Sequence, residues 1–229
     1  RGKTTIKKLI SIVNVFKSIF QSISIFRRYR PSMALGFGGY VSVSSSLSAF
    51  ILSIPVIVHE QNAVAGTANK INYYFAKRVY ETFPLSFNKN HPKIIHTGNP
   101  VRPSFEMLTK PEQKYGDTKS SINILVMGGS QGSRFLNKTM PFAFSHFYEK
   151  NISIKHITGS ENHVLVKEKY NEYMIDAEVI TYSQNIGLLY DWADLIICRA
   201  GSTSISELAL IGRASLLVPF PYATDDHQL

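Results

Sequence analysis

The strongest constraint on how this chain can fold is a recurring unit: a short β-branched run, a glycine-rich or polar loop, then a helical stretch. Residues 33–35 read as a strand ending in Gly36-Phe37-Gly38-Gly39, and 40–52 as a helix of small residues. Residues 55–58 read as a buried strand, 67–77 as a helix, 79–81 and 94–96 as strands. After a polar stretch over 109–121, with Pro111, Gly116 and several lysines, the pattern restarts. Strand 122–127, loop Gly128 to Gly132 and helix 135–150 come first, then strand 152–157, helix 161–173 and strand 178–181. Helix 186–190, strand 195–198, helix 203–211 and strand 215–218 complete the alternation. Such repetition builds parallel sheets covered by helices on both faces. The fold class is therefore α/β, with two units: residues 1–102, a linker over 103–121, and residues 122–229.

Charge is distributed unevenly. Lys and Arg number 25 against 16 Asp and Glu, a net +9, which favours an anionic partner. Eight of the positive residues fall within 1–30, where there is no Asp or Glu. Charge held on one helix argues against a nucleic-acid reader. Ile6, Leu9, Ile10, Val13, Phe16, Phe20 and Ile23 are spaced as on a helix face. Lys17, Asn14, Gln21 and the serines make it a poor membrane span. Two readings stay open for this helix: contact with an anionic lipid surface, or packing with a solvated cationic rim. A single cysteine, Cys198, allows no internal disulfide and suits a reducing compartment.

In parallel sheets, ligands bind beyond the carboxyl ends of the strands. Gly128-Gly129-Ser130-Gln131-Gly132-Ser133 sits at such a place, where glycines and a helix start can receive a phosphate. It is neither a Walker loop nor the dinucleotide fingerprint. Arg199-Ala200-Gly201-Ser202 through Glu207 marks a second such junction. Glu207 there could accept hydrogen bonds from ribose hydroxyls, or it could pair with Ser204 as a capping box. His59-Glu60-Gln61-Asn62 is expected in a polar loop after strand 55–58. It is no zinc-protease motif, because position 63 is Ala63, and it suits either a sugar or a loop-tying network. Arg102 could grip a phosphate with its planar fork. Asp225-Asp226-His227-Gln228 lacks a recognised metal spacing, and Gln228 fits a sugar hydroxyl better. Cys198, His156, His163 and Trp192 read as structural.

Taken together, these segments resemble the MurG family of glycosyltransferases. The match rests on Gly36-Phe37-Gly38-Gly39-Tyr40-Val41-Ser42, His59-Glu60-Gln61-Asn62, Gly98-Asn99-Pro100-Val101-Arg102 and Gly128 to Gly132. It continues through Asp191-Trp192-Ala193-Asp194, Cys198 to Glu207 and Asp225 to Gln228, in family order. The resemblance implies a GT-B fold of two Rossmann-like doubly wound domains, the first taking the acceptor and the second the nucleotide sugar. It implies inverting transfer of N-acetylglucosamine from UDP-N-acetylglucosamine to the 4-hydroxyl of a lipid-linked muramyl-pentapeptide (lipid I). The product is lipid II for peptidoglycan, made at the cytoplasmic face of the bacterial inner membrane by a peripheral protein without a cofactor or tightly held metal. Carried over, Ser130, Gln131 and Arg102 would meet the diphosphate, and the backbone at Ser183 the uracil. Ser202, Thr203, Ser204, Ile205, Ser206 and Glu207 would surround the nucleotide, with Glu207 on the ribose. Asn62 and Gln228 would hold the sugar, and Glu60 or His59 are the candidate bases. The family's opening Gly-Gly-Thr-Gly-Gly-His loop and its closing helices have no counterpart here, so the chain is expected to lack both ends. The alternatives are a non-catalytic remnant retaining nucleotide-sugar or membrane binding, and an epimerase or redox enzyme, disfavoured by the missing Gly-x-Gly-x-x-Gly loop.

Overall fold

A computed structural model describes residues 5–115, 121–129, 131–147 and 151–220, with the backbone alone for residues 5–12. The chain divides into two compact units, Arg1–Asn99 and Pro100–Leu229. Ser130 and residues 221–229, Gln228 among them, lie outside the described residues.

In the first unit, strands β1 (Ala34–Gly36), β2 (Val56–Glu60), β3 (Arg78–Glu81) and β4 (Ile94–His96) pair in parallel in that order. Helices α1 (Thr5–Tyr29), α2 (Tyr40–Ile51) and α3 (Thr67–Phe75) connect and cover them. Val56, Val58 and Val79 form the core with Ala49, Tyr73 and Phe87. Helix α1 meets α2 partly through small polar side chains, while Phe26 near its end packs on the core. The Ser18 and Ser44 hydroxyls are 2.7 Å apart, and the Ser48 hydroxyl donates to the Ile19 carbonyl at 3.1 Å. Val13, Phe16 and Phe20, spaced along one face, are left 58, 59 and 69% exposed. Among the described residues, no helix is long and apolar enough to cross a membrane.

The first unit carries thirteen Lys and Arg but only two acidic residues, Glu60 and Glu81. Both are buried. Glu81 accepts from the Leu85 and Ser86 amides, each at 3.0 Å, and so braces a turn.

The second unit holds β5 (Ile122–Met127), β6 (Ile152–Ile157), β7 (Ala177–Ile180), β8 (Leu195–Arg199) and β9 (Ala214–Val218). All pair in parallel, in the order β7-β6-β5-β8-β9. The direction of winding reverses between β5 and β8, the arrangement of a Rossmann-like domain. Alternation along the strands feeds two core layers. Leu125, Met127, Ile196 and Cys198 pack with Tyr190, Leu208 and Ile211. On the other face Ile124, Val126, Ile154 and Ile197 meet Leu136, Phe144 and Tyr170. Helices α5 (Arg134–Phe144), α6 (His163–Glu172), α7 (Ile186–Trp192) and α8 (Ser202–Ile211) supply these partners. Two parallel sheets in one chain, each helix-covered, are the domain content expected of a GT-B protein.

Residues 103–115, expected as linker, pack on the second unit instead. Phe105, in the 3-10 turn Pro103–Met107, is 2% exposed in its core. The Thr109 amide donates to Asp191 at 2.9 Å. Lys114, ending the short helix α4 (Pro111–Lys114), donates to the Asp191 and Trp192 carbonyls at 2.6 and 2.9 Å and lies 3.4 Å from the Asp194 carboxylate. Tyr115 donates to the Asp194 carbonyl at 2.8 Å. Buried Arg213 completes this clamp, its Nη2 2.9 Å from Asp191. Burial pushes the Asp191 pKa up, but the Thr109 hydrogen bonds, Arg213 and Lys114 prevail and hold it below the ordinary value. The Asp-Trp-Ala-Asp segment is thus a structural fastener. The polar composition of residues 109–115 looks like linker chemistry in sequence because their partners are distant in the chain.

Candidate functional site

The reversal of winding places the carboxyl ends of β5 and β8 side by side, with Met127 in register with Cys198. The two junctions singled out in the sequence therefore emerge together within the second unit.

The first loop owes its shape to backbone packing. A Cβ at Gly128 would lie 2.1 Å from the Ser133 nitrogen, and one at Gly132 only 2.0 Å from the Thr158 carbonyl oxygen. Gly159 returns the contact, its Cβ position 2.5 Å from the Gln131 oxygen. The loops after β5 and β6 therefore interlock without side chains. Gly129, at φ 85°, faces open space instead. Ser133 caps α5, its hydroxyl accepting from the Leu136 amide at 3.4 Å. Arg199 donates to the same hydroxyl at 3.0 Å and to the Pro219 carbonyl at 2.8 Å. Its guanidinium lies over Phe135 and Phe220, so Arg199 braces the two loops. Gln131 is exposed and lines a polar cavity of about 260 Å³ with Arg134, Glu161 and Asn162.

Helix α8 begins at Gly201 with no side-chain cap, and a Cβ there would meet nothing within 4 Å. Its first amides are thus presented without a competing side chain, and the helix dipole makes the place attractive to an anion. Thr203 is exposed; Ser202, Ser204, Ile205 and Ser206 are half-buried. The Ser206 hydroxyl is turned back to the Ser202 carbonyl at 2.8 Å.

Glu207 is buried and accepts from the Tyr190 hydroxyl at 3.1 Å. The Ser204–Glu207 capping pair does not form. The helix starts at Gly201, so Ser204 lies inside the first turn, and Glu207 accepts from Tyr190 instead. Burial pushes the Glu207 carboxyl above its ordinary pKa, while Tyr190 and the Arg102 charge oppose that rise. Arg102 belongs to this second unit, at the head of the 3-10 turn Pro103–Met107. Ser183 lies half-buried in the loop between β7 and α7. Cys198 is 1% exposed, and burial raises its thiol to about 11, which leaves it inert. His156 is also structural: fully buried, it hydrogen-bonds the Tyr170 hydroxyl at 3.0 Å.

In the first unit, β2 runs two residues further than the sequence suggests, so His59 and Glu60 end the strand and are buried. Glu60 accepts four hydrogen bonds: from the Asn62 amide at 2.9 Å, the Asn62 side chain at 3.0 Å, the Gly66 amide at 3.1 Å and Asn69 at 2.8 Å. The His59 ring spans the Gly98 carbonyl and the Gln61 amide, each at 3.2 Å. Both candidate bases are therefore engaged in holding the loop that carries Asn62. Asn69 escaped the sequence reading. With Asn72 it forms a pair of fully buried amides on α3, and two Asn three apart on an otherwise core-facing helix were the available signal. Its amide also lies under Gly38, at φ 87°, where a Cβ would come within 3.3 Å. Next to it α2 starts at Gly39, again without a side-chain cap. Beside this start runs an apolar groove of about 800 Å³, lined by Val15, Ile19, Tyr40, Val41, Leu47 and Ile71 among others.

Comparison with known proteins accounts for both units. Residues 1–81 match the glycosyltransferase family 28 N-terminal domain, and residues 123–229 its C-terminal domain. The UDP-N-acetylglucosamine–N-acetylmuramyl-(pentapeptide) pyrophosphoryl-undecaprenol N-acetylglucosamine transferase of Coxiella burnetii is 36% identical over 229 residues, all of this chain and 64% of that protein. The protein of the same name from Psychromonas ingrahamii is 38% identical over 228 residues, 63% of its length. The chain thus spans less than two thirds of these relatives. The crystal structure of Acinetobacter baumannii MurG superposes with a TM-score of 0.77 at 33% identity, covering 93% of this chain and 60% of that one. A UDP-GlcNAc 2-epimerase from Neisseria meningitidis, solved with UDP-GlcNAc, shares the fold at a TM-score of 0.64 and 14% identity, covering 99% of this chain and 68% of that one. With both family domains matched and the likeness running the whole chain, this is a partial MurG-like protein belonging to glycosyltransferase family 28.

Proposed function

We propose that this chain carries the donor site and part of the acceptor site of an inverting N-acetylglucosaminyltransferase. It moves N-acetylglucosamine from UDP-N-acetylglucosamine to the 4-hydroxyl of undecaprenyl-pyrophosphoryl-N-acetylmuramyl-pentapeptide, giving lipid II. The observation that carries this reading is the pairing, at the switch point of the second sheet, of an uncapped helix start with a buried carboxylate one turn behind it. The diphosphate sits against the α8 amides and the backbone at Gly129 and Ser130, with Gln131 and Arg102 nearby. Oriented N–H groups and the Arg102 cation offset the charge that develops on departing UDP. Ser202 to Ser206 border the nucleotide, Glu207 accepts from the ribose, and the backbone at Ser183 reads the base. Asn62 and Gln228 hold the sugar. The start of α2 at Gly39 offers amides to the acceptor's pyrophosphate.

His59 and Glu60 act in this reading by fixing Asn62 rather than by taking the proton, since their hydrogen-bonding positions are already committed. That same observation favours a second reading, in which these residues alone bind the donor without turning it over. The exposed Val13, Phe16 and Phe20 among basic residues fit a peripheral seat on the anionic cytoplasmic face of the inner membrane, near a lipid-tethered acceptor.

Calorimetric titration with UDP-N-acetylglucosamine tests the donor site. Glu207→Ala is expected to weaken binding by at least about 10-fold. Equal affinity in the two proteins, or no binding by either, defeats the assignment.

A further inference from the structure

Tyr190 is a buried tyrosine that the reaction chemistry does not call for. It is 0% exposed, and its ring meets Phe105 edge-on at 5.3 Å. Its hydroxyl donates to Glu207 Oε2 at 3.1 Å. Among the described residues, Glu207 has no other hydrogen-bond donor. A carboxylate held through one oxygen has its plane fixed and its second oxygen directed. A glutamate on a helix otherwise samples several χ rotamers, and each sample lost costs affinity.

We propose that Tyr190 is a positioning residue for the nucleotide site: by holding Glu207 Oε2, it aims the carboxylate at the ribose hydroxyls and so sets the preference for a ribonucleoside diphosphate. The inference rests on the ribose role of Glu207 proposed above. Phe105 backs the ring from the 3-10 turn Pro103–Met107.

The test uses two probes, UDP and 2′,3′-dideoxy-UDP, titrated into the full chain and its variants. Tyr190→Phe keeps the ring against Phe105 and removes only the hydroxyl. UDP affinity is expected to fall about 10-fold, the effect of one charge-assisted hydrogen bond, while dideoxy-UDP affinity stays the same. The acid limb of UDP binding should also move to higher pH, because the hydroxyl no longer stabilises the carboxylate. A purely structural role for the hydroxyl would weaken both probes alike and leave the pH profile in place; that result, or no change for either probe, overturns the proposal. Glu207→Gln separates the two layers of inference. If it leaves the UDP preference intact, the ribose reading itself fails. If it abolishes the preference and Tyr190→Phe does not, only the role of Tyr190 fails.

Discussion

Glu60, at the end of β2 in the first unit, and Glu207, on α8 in the second, are both buried and are used in opposite ways. Glu60 in the first unit accepts four hydrogen bonds from its own loop and from α3. Glu207 in the second accepts one, from Tyr190. The difference follows from how the neighbouring loops are held. In the first unit the loop from Gln61 to Gly66 has no close backbone neighbour at Gly66, where a Cβ would meet nothing, so a carboxylate gathers its amides. In the second, Gly128, Gly132 and Gly159 lock the loops through direct backbone contact. Where glycines do the bracing, the carboxylate keeps fewer protein partners. On the donor-site reading proposed above, such a sparingly satisfied carboxylate beside an open helix start serves as a binding group, and a fully satisfied one as scaffold.

Four substitutions probe this contrast. Glu60→Ala should have the largest effect, a loss of about 4 kcal/mol in urea unfolding, because it strands three donating residues around an emptied site. A loss below about 1 kcal/mol would erase the distinction between the two glutamates. Gly132→Ala should cost about 3 kcal/mol, since the new methyl meets the Thr158 carbonyl and the backbone is at φ 76°. Gly129→Ala, strained by its φ but clear of neighbours, should cost only about 1 kcal/mol. Equal costs would mean that interlocking is not what holds the loop. Glu207→Gln should change stability least, by under about 1 kcal/mol at neutral pH. Its sign is fixed by linkage. The folded pKa of Glu207 lies above the unfolded one, so the ionised group opposes folding above that raised value, and the opposition fades as pH falls through it. The variant should therefore match or exceed the parent near pH 7 and lose that margin toward acid; a margin that grows toward acid contradicts the assignment.

The architecture was legible because it is local. β-branched runs, loop glycines and helical spacing each report on a few neighbouring residues, and the strands appear within a residue or two of where they are expected. The end of β2 was not legible, since His59 and Glu60 are polar and partners further along the chain, at Asn62, Gly66, Asn69 and Gly98, make them tolerable in a buried strand. The capping box at Ser204 was a sound local reading displaced by a distant one: Tyr190, from another helix, takes the glutamate of the pair. The linker failed for the same reason, as Phe105 and Lys114 find partners more than 75 residues away. The glycines of the loop after β5 were read as room for an anion, and Gly128 and Gly132 prove to be room for neighbouring backbone. Only Gly129 retains the open setting.

The fate of the acidic residues in the first unit has one more consequence. With Glu60 and Glu81 enclosed, the described surface of that unit carries no carboxylate side chain. On the membrane reading proposed above, added electrolyte is the condition expected to loosen its hold.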